Sequence, residues 1–353
     1  MSDAERPHIL PVDPVRPEPE RIAIAAQAIR AGQLVAFPTE TVYGLGANAL
    51  DEEAVRAMFA AKDRPPTNPV IVHVADEGGA RELAADWPEA ASKLAARFWP
   101  GPLTLVVNKT RAIPDVVTAG GSTVALRCPN HPVALALLRA AAVPIAAPSA
   151  NRATMISPTT AAHVLVSLRG RIDFLLSAGP AERGLESAVI DVTVDPPVLL
   201  RLGPISPGAL RGTLGVAVAL PTKQFFEQRP ARSPGMSRRH YAPQAILLRA
   251  TGDGRRDVER LVSGGFRVGW IRIGSSSGQA ALPPTVHVIE MPDDATLYGA
   301  KLYAALHTLD AMPVDQIVVG EIPSDEDWLA INDRLDRAGA APQNDDRSDD
   351  RRT

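Results

Sequence analysis

Cysteine is nearly absent: Cys128 is the only one in 353 residues. No intrachain disulfide can form, and a reducing compartment suits the chain. An excess of one charge is missing too. The 37 Lys and Arg against 40 Asp and Glu leave a net charge of −3, which excludes a generic polyanion binder and confines any nucleic-acid contact to a local patch. No uncharged apolar run approaches the length of a membrane span. The opening "MSDAERPHILPVDPVRPEPE" is polar and proline-rich, without the basic end and apolar stretch of a secretory signal. The chain therefore reads as soluble and cytoplasmic. Metal-ligand spacings are also lacking. The seven histidines are scattered, with no HExxH and no pairing with cysteine, so no protein-built metal cage is expected. Neither GxxxxGK[ST] nor GxGxxG after a strand occurs. "YGLG" (Tyr43 to Gly46) alone is a turn more often than a phosphate cradle. Cys128, ending "VALRC", reads as a half-buried small residue.

What is present is an ordinary globular balance, 45% hydrophobic and 22% charged, in a chain long enough for two cored domains. Residues 1–18 read as an extended arm. From 19 to 212, helical patterns ("PERIAIAAQAIRAG", "DEEAVRAMFAAK", "PEAASKLAARFW", "HPVALALLRAAA") interleave with strand patterns ("QLVAFPT", "PVIVHVA", "LTLVVNK", "STVALRCP", "PIAAPSA"), and "ESAVIDVT" with "PVLLRLG" forms a strand pair. "SPTTAAHVLVSL" reads as a helix capped by Ser157. The interleaving predicts an α/β domain with a mixed sheet. Residues 213–243 lack periodicity and read as a linker. In 244–338, "AILLRA", "RVGWIRIG", "VHVIEM" and "DQIVVGE" alternate with three helical patterns, which predicts a small open-sheet, Rossmann-like domain. The charged, apolar-poor tail 339–353 reads as disordered.

Four polar pieces fall at strand ends of the first domain. "PTETVYGLG" puts Thr39 and Thr41 on one side if extended. "KDRPPTNP" does the same for Lys62 and Arg64, on a proline-stiffened loop whose truncation should leave the core intact. "APSANRATMISPTTAAHV" offers Ser149, Asn151 and Ser157, the last at a helix start suited to an anion. "GLESAVID" and "LLRLG" bring Ser187 and Arg201. The set holds cations, hydroxyls and amides, with no obvious acid pair and no nucleophile–base pair. It suits phosphoryl or nucleotidyl transfer, which is mostly positioning and charge stabilisation. Each piece taken singly is also readable as an ordinary polar loop.

These pieces, with "FWPGPLTLVV", "LRCPNHP", "SPGMSRRHYAP" and "AINDRLDRA", stand in the order found in one family. Over residues 18–338 the chain resembles the long, two-domain L-threonylcarbamoyladenylate synthases, built on a YrdC-like catalytic domain. The resemblance implies that L-threonine, bicarbonate or carbon dioxide, and ATP carrying Mg2+ give threonylcarbamoyl-AMP and pyrophosphate, for threonylcarbamoyl-adenosine in tRNA. By matching position it implies that Lys62 and Arg64 act catalytically on the phosphates. Asn68, Thr123, Ser149, Asn151, Ser157, Arg201 and Tyr241 would complete the ATP site. Thr39, Thr41, His73, Arg127, Ala147 and Ser187 would line the threonine site, with the planar fork of Arg127 on the carboxylate. It also implies hand-over of the product to a tRNA threonylcarbamoyl transferase, a weak tRNA contact at the basic linker, and a lid formed by residues 233–243.

The chain departs from the family pattern at Ala153-Thr154 (usually Ser-Gly), at Ala188 (usually Thr), at "LSAGP" (often Asp-Gly-Gly) and at "LRLG" (often Leu-Arg-Pro-Gly). These changes sit beside the expected substrate pocket. They motivate two alternatives: a paralogue adenylating a different carbamate and, from the basic linker, a non-catalytic RNA-binding module.

Overall fold

The computed structural model describes residues 7–220, 241–274 and 282–340. In chain order the first part contains β1 (His8–Pro11), α1 (Pro19–Arg30), β2 (Val35–Phe37), β3 (Gly44–Asn48), α2 (Glu52–Ala61), β4 (Ile71–His73), α3 (Glu77–Leu83) and α4 (Glu89–Phe98). There follow β5 (Leu103–Asn108), β6 (Thr123–Arg127), α5 (Pro132–Ala141), β7 (Ile145–Ala146), α6 (Ala161–Leu168), β8 (Phe174–Ser177), β9 (Ala188–Asp191), β10 (Val198–Arg201) and α7 (Pro207–Leu214). These ten strands make one mixed sheet in the order β1-β8-β2-β3-β7-β4-β6-β5-β9-β10. The second part has β11 (Ile246–Arg249), α8 (Arg255–Ser263), β12 (Val268–Ile273), β13 (Val286–Met291), α9 (Ala295–Asp310), β14 (Gln316–Val319) and α10 (Leu329–Ala338). Its four strands are all parallel, ordered β11-β14-β12-β13. The α/β class and the two-sheet architecture agree with the sequence reading.

Local chemistry explains several boundaries. Asp51 accepts from the amides of Glu53 and Ala54 and starts α2, and Asp294 does the same for α9 through Leu297. The longest helix, α9, buries Tyr298, Leu302, Tyr303, Leu306 and Leu309 between the second sheet and the first domain.

Other boundaries correct the sequence reading. The arm is not free: β1 pairs in parallel with β8 at the sheet edge. "GLGAN" is an interior strand. Gly46 is required there because a Cβ on it would lie 2.9 Å from both Ile145 and Phe37. The buried strand expected over "PIAAPSA" is two residues long, and Ser149 continues only as an isolated bridge to Gly44. The helix after it begins at Ala161 under a Thr160 cap, whose hydroxyl accepts from the His163 amide. Ser157 therefore caps nothing and offers no helix-terminus anion site. Residues 221–240 of the linker, including most of the expected lid, lie outside the described residues.

Candidate active site

The site is built on one face of the first sheet. Side chains alternate along strands, and the register sets His73 of β4 opposite Arg127 of β6. Thr104 of β5 and Arg201 of β10 both pair with Val189 of β9. Polar side chains on β4, β6, β5 and β10 thus line up across the sheet, with Val189 of β9 between Thr104 and Arg201. Thr104 and Ser187 join hydroxyls at 2.8 Å. Arg201 donates from Nε to the Ser187 carbonyl at 3.0 Å and from Nη2 to its hydroxyl at 3.1 Å. Above this row a cavity of about 50 Å³ is lined by nine of the fifteen residues expected by matching position: Thr39, Thr41, Arg64, His73, Arg127, Ala147, Ser149, Arg201 and Tyr241.

Thr39 and Thr41 do share a side, with hydroxyls 2.8 Å apart. Thr39 donates its proton to the Val42 carbonyl at 2.6 Å. Thr41 is then the donor to Thr39, and its remaining lone pairs are available to a ligand.

Lys62 and Arg64 are not surface cations. Lys62 is 1% exposed and Arg64 8%. Lys62 Nζ donates to the carbonyls of Ser149 and Asn151, so it staples the serine–asparagine loop to the end of α2 and lies outside the cavity lining. Arg64 reaches the cavity wall while donating to the carbonyls of Asn68 (3.2 Å) and Pro69 (2.8 Å). Burial, and then the neighbouring Arg64 charge, hold the Lys62 ammonium well below its usual range. Burial also brings Arg64 down to about 10, with Tyr241 opposing and Arg201 adding to the shift. Lys62 is thus a buried donor to two carbonyls, the Asn151 one buried, and its truncation would leave that acceptor unpaired.

His73 is 3% exposed. Burial, reinforced by Arg127, depresses it to about 3, so the ring is neutral. Its Nδ1 has no hydrogen-bond partner among the described residues. Beside it, Arg127 Nη2 stands 2.8 Å from Glu40 Oε1, with both side chains at most 5% exposed. The approach is misdirected: neither Nη2 nor either Glu40 oxygen completes a hydrogen bond among the described residues.

A second buried carboxylate, Glu186, is satisfied in full. It accepts from Ser157 Oγ at 2.6 Å, from Tyr303 at 3.0 and 3.2 Å, and from Arg334 Nε at 2.9 Å. Burial by itself would raise its pKa, but Arg334 and then Arg201 overcome that and hold it at about 2. Tyr241, in the left-handed region at φ 62, stacks on Tyr303 at 5.8 Å, and the Arg334 guanidinium lies 5.0 Å over its ring.

Among the other expected residues, Asn68 gives its carbonyl to Arg64, Asn151 donates to the carbonyls of Arg152 and Met155, and Ser157 holds Glu186. Thr123 begins β6, on the same face as Arg127 but four residues away, roughly 13 Å along the strand. It lies outside the cavity lining, as do Lys62, Asn68, Asn151, Ser157 and Ser187. Sequence reasoning missed the two acids, Glu40 and Glu186, and the second-domain residues Tyr303 and Arg334. Glu40 was within "PTETVYGLG", between the two threonines that were singled out. The signal for Arg334 was its place in "AINDRLDRA".

Known proteins resemble the chain over both of its domains. Residues 27–203 match the Sua5, YciO and YrdC family described as telomere recombination. Residues 205–340 match the family described as threonylcarbamoyl-AMP synthase, C-terminal domain. The chain is 42% identical over 330 residues to the threonylcarbamoyl-AMP synthase of Pyrococcus abyssi, covering 92% of this chain and 95% of that one. It is 42% identical over 323 residues to that of Bacillus subtilis, covering 90% and 92%. The crystal structure of P. abyssi Sua5 complexed with L-threonine superposes with a TM-score of 0.84 at 40% identity, covering 94% of this chain and 97% of that one.

Proposed function

The chain belongs to the family of two-domain threonylcarbamoyl-AMP synthases, and from that premise we propose how its own residues make threonylcarbamoyl-AMP for tRNA modification. The observation that carries the proposal is a group of buried polar atoms without partners. His73 Nδ1 and Arg127 Nη2 belong to residues that line one cavity, both Glu40 oxygens belong to the carboxylate beside Arg127, and native interiors seldom leave such atoms unsatisfied. A polar ligand there completes them.

In this reading Arg127 takes the carboxylate of L-threonine, with Glu40 as its counter-ion. Neutral His73 and the lone pairs of Thr41 meet the substrate's remaining polar groups. The threonine amine is its own nucleophile. Its lone pair attacks the carbon of carbon dioxide derived from bicarbonate, and loss of one N–H proton leaves a carbamate. A carbamate oxygen then attacks the α-phosphorus of ATP, the bond to the bridging oxygen breaks, and pyrophosphate leaves. Arg64, Arg201 and Ser149 face the phosphates and meet the charge that builds on them. Lys62 acts by fixing the loop that carries Ser149. Magnesium arrives as part of the nucleotide, held by phosphates and water. No group of three or more His, Cys, Asp or Glu is assembled for a metal among the described residues.

A cavity of about 50 Å³ has room for a few waters, at roughly 10–15 Å³ each. We assign 19–212 to the catalytic domain, 213–243 to a linker and 244–338 to the second domain. The labile product passes to a tRNA threonylcarbamoyl transferase. No helix among the described residues is long and apolar enough to cross a membrane. The test is pyrophosphate release from ATP and bicarbonate across the amino acids, with a mass spectrum of the product. Threonine is expected to be preferred and its carbamoyl adenylate to be found. Preference for another amino acid would point to Ala188 and Ala153-Thr154 as specificity changes.

A further inference from the structure

Arg334 lies on α10 in the second domain and, with Tyr303 of α9, reaches Glu186 beneath the site. It is 1% exposed. Its Nε donates to Glu186 Oε2 at 2.9 Å, and its Nη2 donates to the Leu202 carbonyl at 2.8 Å. Glu186 immediately precedes Ser187, and Leu202 immediately follows Arg201. One guanidinium therefore grips the entry to β9 and the exit from β10. These are the two points flanking the Ser187–Arg201 contact on the cavity floor. The backbones meet tightly here: a Cβ on Gly203 would lie 2.1 Å from the Ala188 nitrogen. A small change in either segment is passed to the other.

We infer that Arg334 is a positioning residue for the synthase reaction, through which the second domain sets the placement of Ser187 and Arg201. The inference rests on the reading of Ser187 and Arg201 as substrate-site groups. The chemistry suits arginine alone. A planar fork can serve a carboxylate and a carbonyl at once, and a lysine ammonium cannot span both in the same geometry. The groups facing Glu186 are Arg334 and Tyr303 from the second domain, Ser157 from the loop before α6, and Arg201 and Tyr241 at the cavity. Of the charged ones, Arg334 acts most strongly to keep Glu186 ionised.

Two variants of the full chain test this, Arg334→Lys and Arg334→Gln, with kcat and both KM values measured from pH 5 to 9. Arg334→Lys keeps the buried charge and should fold. Its kcat/KM should fall roughly 10²-fold, the scale of a 1 Å misplacement, with the threonine and ATP parameters affected together and the pH profile unchanged. Arg334→Gln removes the charge, so burial lifts Glu186 toward neutrality and activity should gain an acid limb absent from the parent. If Arg334→Gln does not fold, Arg334→Lys decides alone. Arg334→Lys kinetics within twofold of the parent would overturn the inference. So would a loss matched by the unfolded fraction. Arg201→Ala separates the two levels: if it stays active, the underlying site reading is wrong, whereas an inactive Arg201→Ala beside an unaffected Arg334→Lys removes only the inference.

Discussion

Two buried arginine–carboxylate pairs bracket the cavity, and they differ in kind. Arg334 and Glu186 join the domains, and each Glu186 oxygen has well-directed donors. Arg127 and Glu40 lie within the first domain at a similar separation of 2.8 Å, yet they complete no hydrogen bond with each other and leave three polar atoms unserved. Separation is therefore a poor guide to what a buried pair does. The satisfied pair is part of the frame. The unsatisfied pair is held ready by the frame around it, and a ligand supplies what it lacks.

The largest expected effect tests the closed pair. Arg334→Met removes the main charge that offsets the burial of Glu186 and one of its donors, which should cost about 3–5 kcal/mol of stability, read by denaturant unfolding. Adding Glu186→Gln should recover much of it, and a single variant as stable as the parent would dissolve the contrast. Next comes the cavity wall. Arg64→Ala should raise the barrier by about 2.7–4 kcal/mol, measured as kcat, while its melting temperature falls less than that of Lys62→Ala. The open pair is probed by Arg127→Lys. Glu40 keeps a counter-charge, so stability should hold, but threonine binding should weaken by about 1.5–3 kcal/mol with the ATP KM little changed. Equal losses for both substrates would move Arg127 away from the carboxylate.

The smallest effect lies at the seam between the domains. His163 and His307 stack at 3.8 Å, and His307 Nε2 is 3.1 Å from the Ser157 carbonyl. Burial, then the neighbouring His307, lowers His163 to about 4, and burial lowers His307 as well. Both are neutral in the fold and gain protons on unfolding at higher pH. Their contribution is complete above the unfolded value of about 6.5, and it should be lost as pH falls from there toward 4. His163→Asn should flatten that slope in a thermal-melt series. An unchanged slope would place the acid sensitivity elsewhere.

The second domain was legible from its sequence almost strand for strand, because its short runs rich in Val and Ile, such as "ILLR" and "QIVV", are separated by longer helical patterns. The first domain was less so. Its strand "GLGAN" has no β-branched residue and is set by close approach to Phe37 and Ile145, and α3, "EGGAREL", contains two glycines that argue against a helix. Candidate cations and hydroxyls could be picked out, since they stand at strand ends in recognisable pieces. Their partners could not. Arg334 is 148 residues from Glu186, and nothing local in either segment announces the other.

The strand β7 has only Ile145 and Ala146, yet it sits between β3 and β4 in the middle of the sheet. It is made after both. A growing chain emits β4 and must then add about 70 residues before the strand that fills the gap appears. At the pace of synthesis that is roughly 4–15 s. During this time two hydrophobic strands present open edges of the sort that recruit other chains. The order of the strands thus defines an interval in which the nascent protein is most exposed to misassembly, and the interval ends with the arrival of two residues.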